Sequence, residues 1–296
     1  MDGLDIYYKE QARVETDLKK KLLSDSYRWH RLFVGQMYRY FSLGSKPSPI
    51  TIRFDNSLLD RVVPIHAAAT YRPAKNGLPA EIILANYSLS ADDGWMNFLQ
   101  GDSQEAFVNA ISSLRQGMPT SRELETMIRA TRFYTLHETG HYLHNLSNPL
   151  LFSSGENVDT VYVYMITQMV AELAALIHAS RFGFLGNCTI TAAGESDMEG
   201  AHRIFRSCKN PEAAVSILER LVKCRTLDEA LSIDAFRVQY DSNFETIRDY
   251  IATSTTPVTC CGVAEPKDME LVETQEYIES LQRERREENR RKGSRR

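Results

Sequence analysis

Apolar positions recur at the 3.6-residue helical period along most of this chain, which predicts a mostly helical protein. Residues 3 to 43 read as an amphipathic helical arm, with Leu22, Leu23, Leu32, Phe33 and Met37 as core contacts and a candidate break near Ser24 to Ser26. Gly44 to Pro49 reads as a linker, and Gln104 to Gln116 as a short helix after Asp92-Asp93-Gly94. A longer helix opens on the capping box Thr120-Ser121-Arg122-Glu123. It carries Leu124, Met127, Ile128, Phe133, Leu136 and Leu143 as far as Asn145 and stops at Asn148-Pro149. An apolar helix then runs from about Val158 to Ser180. Beyond Gly183 and Gly186 the chain reads as loop to Ser196. Helix starts follow at Asn210-Pro211, at Thr226 to Glu229 and at Ser242 to Glu245. From Glu265 charge dominates, and Arg283 to Arg296 reads as a solvated, mobile tail.

The motif with definite chemistry is His137-Glu138-Thr139-Gly140-His141, an H-E-x-x-H on the second long helix. At about 100° per residue the two histidines project from one face on successive turns, where neutral imidazoles suit zinc. Glu138 lies on the flank where it can take a proton from water, and Gly140 leaves that wall open. A catalytic site needs a third protein ligand. His144 lies two turns from His137, about 10 Å along the axis, which suits a supporting or packing role rather than ligation. Glu172 is the better third ligand, because a carboxylate among alanines and leucines is costly without a cation. Solvent exposure of Glu172, or its pairing with Arg129 or Arg132, is the bland alternative, and Glu156 and Asp159 in the connecting loop are weaker ligand candidates. Two histidines and a carboxylate can also hold iron or manganese; the intervening glutamate favours zinc. For stabilising an oxyanion, Tyr162, Tyr164, His178 and His202 are all candidates.

The run Arg132-Phe133-Tyr134-Thr135-Leu136-His137-Glu138-Thr139-Gly140-His141-Tyr142-Leu143 resembles the active-helix segment of the ImmA/IrrE-type zinc metallopeptidases, and Glu172-Leu173-Ala174-Ala175 resembles their glutamate helix. Ile50 to Phe54, Ala67 to Tyr71, Lys75-Asn76-Gly77 and Glu81 to Asn86 look like the small strands and hairpin that precede the active helix there. Leu136 replaces the family's usual small residue, Thr139 its leucine, and His144 comes one position early. Few strands among many helices make the fold α+β, mostly α, and the resemblance implies that the small sheet packs on the H-E-x-x-H and glutamate helices. It also implies Zn2+ held by His137, His141 and Glu172, with Glu138 as general base. The activity implied is that of an intracellular regulatory protease cutting one protein substrate, often a repressor. The strand Glu81 to Asn86 is a candidate for seating an extended peptide by edge pairing.

Composition adds limits. At 296 residues, 43% hydrophobic and 25% charged, the chain can bury a substantial core. The punctuation divides it into a helical arm at 1–45, a metallopeptidase-like core at 50–182, a helical region at 183–256 and a charged tail at 262–296. A net charge of -4 exerts no general pull on nucleic acid or an anionic membrane. Segment 226 to 251 has only Arg237 and Arg248 as basic residues, so a DNA-binding helix pair is not expected. The start lacks signal-peptide character, Val161 to Ala179 reads as a buried core helix rather than a membrane span, and the five cysteines form no C-x-x-C pair. Reduced thiols in a cytoplasmic protein are the expectation. Two other function classes fit the same residues: a zinc-protease toxin or effector acting on a foreign protein, and a non-catalytic interaction protein with a structural metal. Oligomeric state has no signature, although the arm could mediate dimers.

Overall fold

The computed structural model describes residues 3–48, 50–55, 69–74, 77, 79–85, 121–152, 159–182, 201, 203–208 and 210–253, with backbone alone for 3–18, 55, 85, 121–127, 129, 130, 250 and 253. Helix α1 spans Gly3–Met37 without the break expected near Ser24, since Ser26 is buried on its core face. Leu22, Phe33 and Met37 are fully buried and Leu23 and Leu32 partly so, as their spacing predicts; Trp29, His30 and Val34 join them.

The sheet is small and mixed. Strands β1 (Thr51–Asp55), β2 (Ala69–Arg72) and β3 (Glu81–Ala85) lie in the order β1-β3-β2. Ile82 is the register partner of Ile52 in the parallel pair and of Tyr71 in the antiparallel pair. Gly77 lies in the β2–β3 connection at φ +81°, a left-handed backbone that glycine adopts without a Cβ penalty. The Glu81 carboxylate accepts from Arg53 Nε at 2.9 Å and Arg72 Nη1 at 3.3 Å, so one side chain ties the three strands. Because β3 is the central strand, both its edges are paired, and it cannot seat an added peptide as expected of Glu81 to Asn86. The Tyr27 hydroxyl accepts from Ile52 N at 2.9 Å and donates to Ile52 O at 3.1 Å, which covers β1 with α1. Among the described residues β2 forms the other edge.

Helix α2 (Ser121–Ser147) ends where Asn148-Pro149 predicts, in a 3-10 turn, Pro149–Phe152. It carries β2 and β3 on one side and α1 and α3 on others. Helix α3 (Thr160–Arg181) is capped by Asp159, whose Oδ1 accepts from Val161 N and Tyr162 N at 3.0 and 3.2 Å. It is long and apolar enough to cross a membrane, yet all of Val161 to Ala179 is buried within the fold, against α1, α2 and the C-terminal helices. Asn210 caps α4 (Pro211–Lys223), accepting from Ala213 N at 2.9 Å, and Thr226 caps α5 (Leu227–Leu231). The start expected at Ser242 is absent: α6 runs unbroken over Asp234–Thr253, and Ser242 Oγ donates to the Val238 carbonyl one turn back. The fold is thus α+β and mostly helical, and its described residues all fall within one compact unit, Met1–Val263. The helix expected at Gln104 to Gln116, the loop to Ser196, the charged tail and Cys188, Cys260 and Cys261 lie outside the described residues. Cys208 and Cys224 are free thiols.

His178 is fully buried in a cage of Trp29, Phe33 and Phe182, with ring centroids at 5.9, 5.1 and 4.8 Å, and neither ring nitrogen has a partner. Burial, reinforced by Arg181, pushes its pKa down to about 3. A base depressed on folding is protonated first in the unfolded chain. Its contribution is therefore present above the ordinary value of 6.5 and is lost as pH falls from there toward 3. One proton taken up on unfolding corresponds to a slope of about 1.4 kcal/mol per pH unit in that window. His178→Phe keeps the packing and removes the titration. Urea unfolding at pH 5 and pH 7 should show the variant's pH dependence reduced by about that slope, and an unchanged dependence would refute the assignment.

Candidate metal centre

The site is built on the crossing of α2 and α3. A Cβ on Gly140 would stand 2.7 Å from Ala171 Cα and 3.0 Å from its carbonyl oxygen, closer than side chains tolerate. The wall beside Gly140 is therefore filled by the α3 backbone rather than open. This approach brings Gln168 and Glu172, one turn apart on α3, against the motif histidines.

His137 Nε2 and His141 Nε2 lie 3.1 Å apart, and Gln168 Oε1 is 3.1 Å from His137 Nε2. Gln168 also hydrogen-bonds His141. On the other side of the His137 ring, Nδ1 is 2.8 Å from Glu172 Oε2. Nitrogens bound tetrahedrally to one zinc at about 2.0 Å stand about 3.3 Å apart. The histidine pair fits that spacing. Among the described residues, however, no three His, Cys, Asp or Glu side chains meet around a common point. The third atom beside the two nitrogens is the Gln168 carboxamide oxygen, and Glu172 stands behind His137, where carboxylates orient metal-ligating imidazoles.

Protonation follows from the burial. His137, Glu138, His141 and Glu172 are 6%, 5%, 0% and 0% exposed. For His137, burial opposes the charged form, but the hydrogen bond it donates to Glu172 and the charges of Glu138 and Glu172 outweigh it and raise the pKa. His141 is held well below its usual range by burial, then by His137 and His144, so it stays neutral. Without metal the charged form is thus favoured at His137, beside Glu172, and the neutral form at His141. A metal cation would replace the Nε2 proton of His137.

Glu138 faces the sheet. The Tyr71 N–H on β2 donates to its carboxyl, while Oε2 is buried without a partner. Burial raises its pKa to about 7, against the attraction of His137. That value suits a group that takes and returns a proton near neutrality. β2 is fixed above it by the Asn145 amide, which donates to the Tyr71 hydroxyl at 2.9 Å.

Other predicted positions divide. His144 is fully buried between Phe41 and Phe152 with both ring nitrogens unpartnered, so it is a packing residue, its pKa pushed down to about 3 by burial. Arg132 pairs with Asp25 rather than Glu172. Asp159 is spent as the α3 cap, and its Oδ2 accepts from Tyr240. Tyr162 packs on Phe236 and burial raises its pKa. His178 occupies its aromatic cage. Tyr164 is buried one turn before Gln168 on the same face of α3. Glu156 and His202 lie outside the described residues.

Two participants escaped sequence reasoning. Gln168 was recoverable as a polar residue four before Glu172 in an otherwise apolar helix, since a buried amide needs a partner. Thr139 anchors the motif's rear: its hydroxyl donates to Thr135 O at 2.6 Å and accepts from His30 Nδ1 of α1 at 3.0 Å. No protein-family model, no curated protein and no solved structure matches the chain, so its resemblance to the ImmA/IrrE-type peptidases rests on these residues themselves.

Proposed function

We propose that this chain is a zinc-dependent endopeptidase of the ImmA/IrrE kind, acting inside the cell on a specific protein such as a repressor. The observation that carries the reading is the pair of imidazole Nε2 atoms 3.1 Å apart, beside a buried carboxyl with a pKa of about 7. His137 and His141 hold the metal; Gln168 is the third donor by distance, and Glu172 is the third donor by charge. Bound zinc supplies Lewis-acid chemistry, making water nucleophilic near neutral pH and polarising a carbonyl. Glu138 takes the proton of the attacking water at Oε2 and returns it to the leaving amine. Among the described residues β2 lies at the sheet edge beside Glu138, so an extended substrate segment adds there and not at β3.

Zinc content by mass spectrometry, with competition titration, tests the centre. Wild type is expected to hold about one zinc per chain, and His137→Ala none. Glu172→Gln should retain zinc with about 10–100-fold weaker affinity if the carboxylate orients His137. Complete loss in that variant would instead make Glu172 a direct ligand, and a metal-free wild type would end the zinc proposal.

The near-complete burial of His137, Glu138, His141 and Glu172 favours one second reading, an interaction protein with a structural metal. In that case Glu138→Gln would leave the protein's biological effect unchanged.

A further inference from the structure

A groove of about 420 Å³ opens between α1 and α2, lined by Lys21, Ser24, Asp25, Arg28, Arg31, Ile128 and Arg132. Lys21, Asp25, Arg28 and Arg31 fall on one stripe of α1 at helical spacing, facing Arg132 of α2. Among the described residues that line it, four cations face one carboxylate, an excess of about +3 on a chain whose net charge is -4. That one carboxylate is already engaged. Asp25 Oδ2 accepts from Arg132 Nε, and Oδ1 accepts from Nη2 at 3.0 Å, while the guanidinium lies 5.1 Å over the Trp29 ring. Arg132 is thus fixed in place before any ligand arrives, with Nη1 left outside the Asp25 fork. Arg31 is held through Nε to the Tyr27 carbonyl at 3.3 Å. Among the described residues Lys21 and Arg28 meet no carboxylate.

We propose that this groove binds the di- or triphosphate group of a small molecule, a site separate from the histidine pair. Guanidinium forks bind phosphate oxygens in pairs, and a fixed fork loses little freedom on binding. The volume lies within the range of small-ligand sites and takes a ligand of mononucleotide size. A single carboxylate would leave most of the local charge unbalanced; a pyrophosphate group, with about three charges near neutral pH, matches it. A small-molecule phosphate is favoured over nucleic acid because the chain carries a net charge of -4 and the basic residues of α6, Arg237 and Arg248, are already paired with acids.

Calorimetric titration of the full chain with pyrophosphate and with adenosine diphosphate tests the proposal. Both probes are expected to bind at one site and compete. The double variant Lys21→Ala/Arg28→Ala, which changes only exposed side chains, should weaken both at least about tenfold with its unfolding temperature unchanged. Serine at Asp25 would be a poor control because it frees Arg132; Glu219→Ala on α4 serves instead and should bind like wild type. Absence of binding by either probe, or equal binding by the double variant, would overturn the site. Displacement of adenosine diphosphate by a short oligonucleotide at equal phosphate concentration, with greater affinity, would overturn the ligand class in favour of nucleic acid. None of these readouts depends on zinc or proteolysis, so failure here and failure of the peptidase reading are distinguishable.

Discussion

Glu138→Gln is expected to lower turnover of a protein substrate about 10²–10⁴-fold while leaving zinc bound and the metal-free protein more stable. The two effects have one cause. Glu138 is 5% exposed, and burial raises its pKa from 4.5 to about 7. A carboxyl raised on folding keeps its proton longer in the native state. Stability is therefore full below about 4.5 and is lost as pH rises through about 7, amounting to about 3 kcal/mol above that value. Glutamine has the same shape, keeps an oxygen to accept from the Tyr71 N–H and cannot ionise, so it escapes that loss. It also cannot carry the proton from water to the leaving amine. Peptide cleavage assays beside urea unfolding at pH 5 and pH 8 measure both. Wild-type turnover in the variant would remove Glu138 from the mechanism, and an unchanged stability gap between the two pH values would remove the buried-carboxyl account.

The second large effect is mechanical. Gly140→Ala puts a methyl 2.7 Å from Ala171 Cα, against backbone that no rotamer change can move aside. Alanine's better helix propensity returns about 1 kcal/mol. Overpacking costs about 1–3 kcal/mol and more for larger groups, so the net change is destabilising, and Gly140→Leu more strongly so. The loss should not stop at stability. Parting α2 from α3 withdraws Gln168 and Glu172 from His137, whose contacts to them are 3.1 and 2.8 Å, so zinc affinity should fall in parallel. Thermal unfolding with zinc titration tests this. A Gly140→Ala protein with wild-type stability and zinc affinity would show that the close crossing is not what assembles the site. Ala171→Gly on the facing helix keeps the two backbones equally free to approach and serves as the control.

Much of the secondary structure was legible from short-range rules. The Asn210-Pro211 start, the Thr226 cap and the Asn148-Pro149 stop act over three or four residues, and each lies where expected. Ser242-Asn243-Phe244-Glu245 had the form of a capping box without being one. Capping residues mark a helix start only when the preceding chain is not already helical, and α6 began at Asp234. Its serine satisfies its hydroxyl on Val238 O instead. The arm shows the same limit: Ser26 is polar in sequence yet buried, because packing on α2 and not local preference decides the continuity of α1.

Sequence alone determined that His137, Glu138 and His141 share one helix, that Glu172 lies on a buried one, and that the fold is α+β and mostly helical. These follow from periodicity and spacing, which operate along the chain. Only the tertiary structure decided that Gln168 stands beside the Nε2 pair with Glu172 behind His137, that β3 is paired on both sides while β2, among the described strands, is the edge above Glu138, and that His30 of α1 anchors Thr139 across 109 residues. Each of these depends on how closely separate elements approach and on which strand lies between its neighbours. Such distances are set by the packing of Gly140 on Ala171 and by the pairing of β3 with both other strands, contacts between distant parts of the chain that no local pattern encodes.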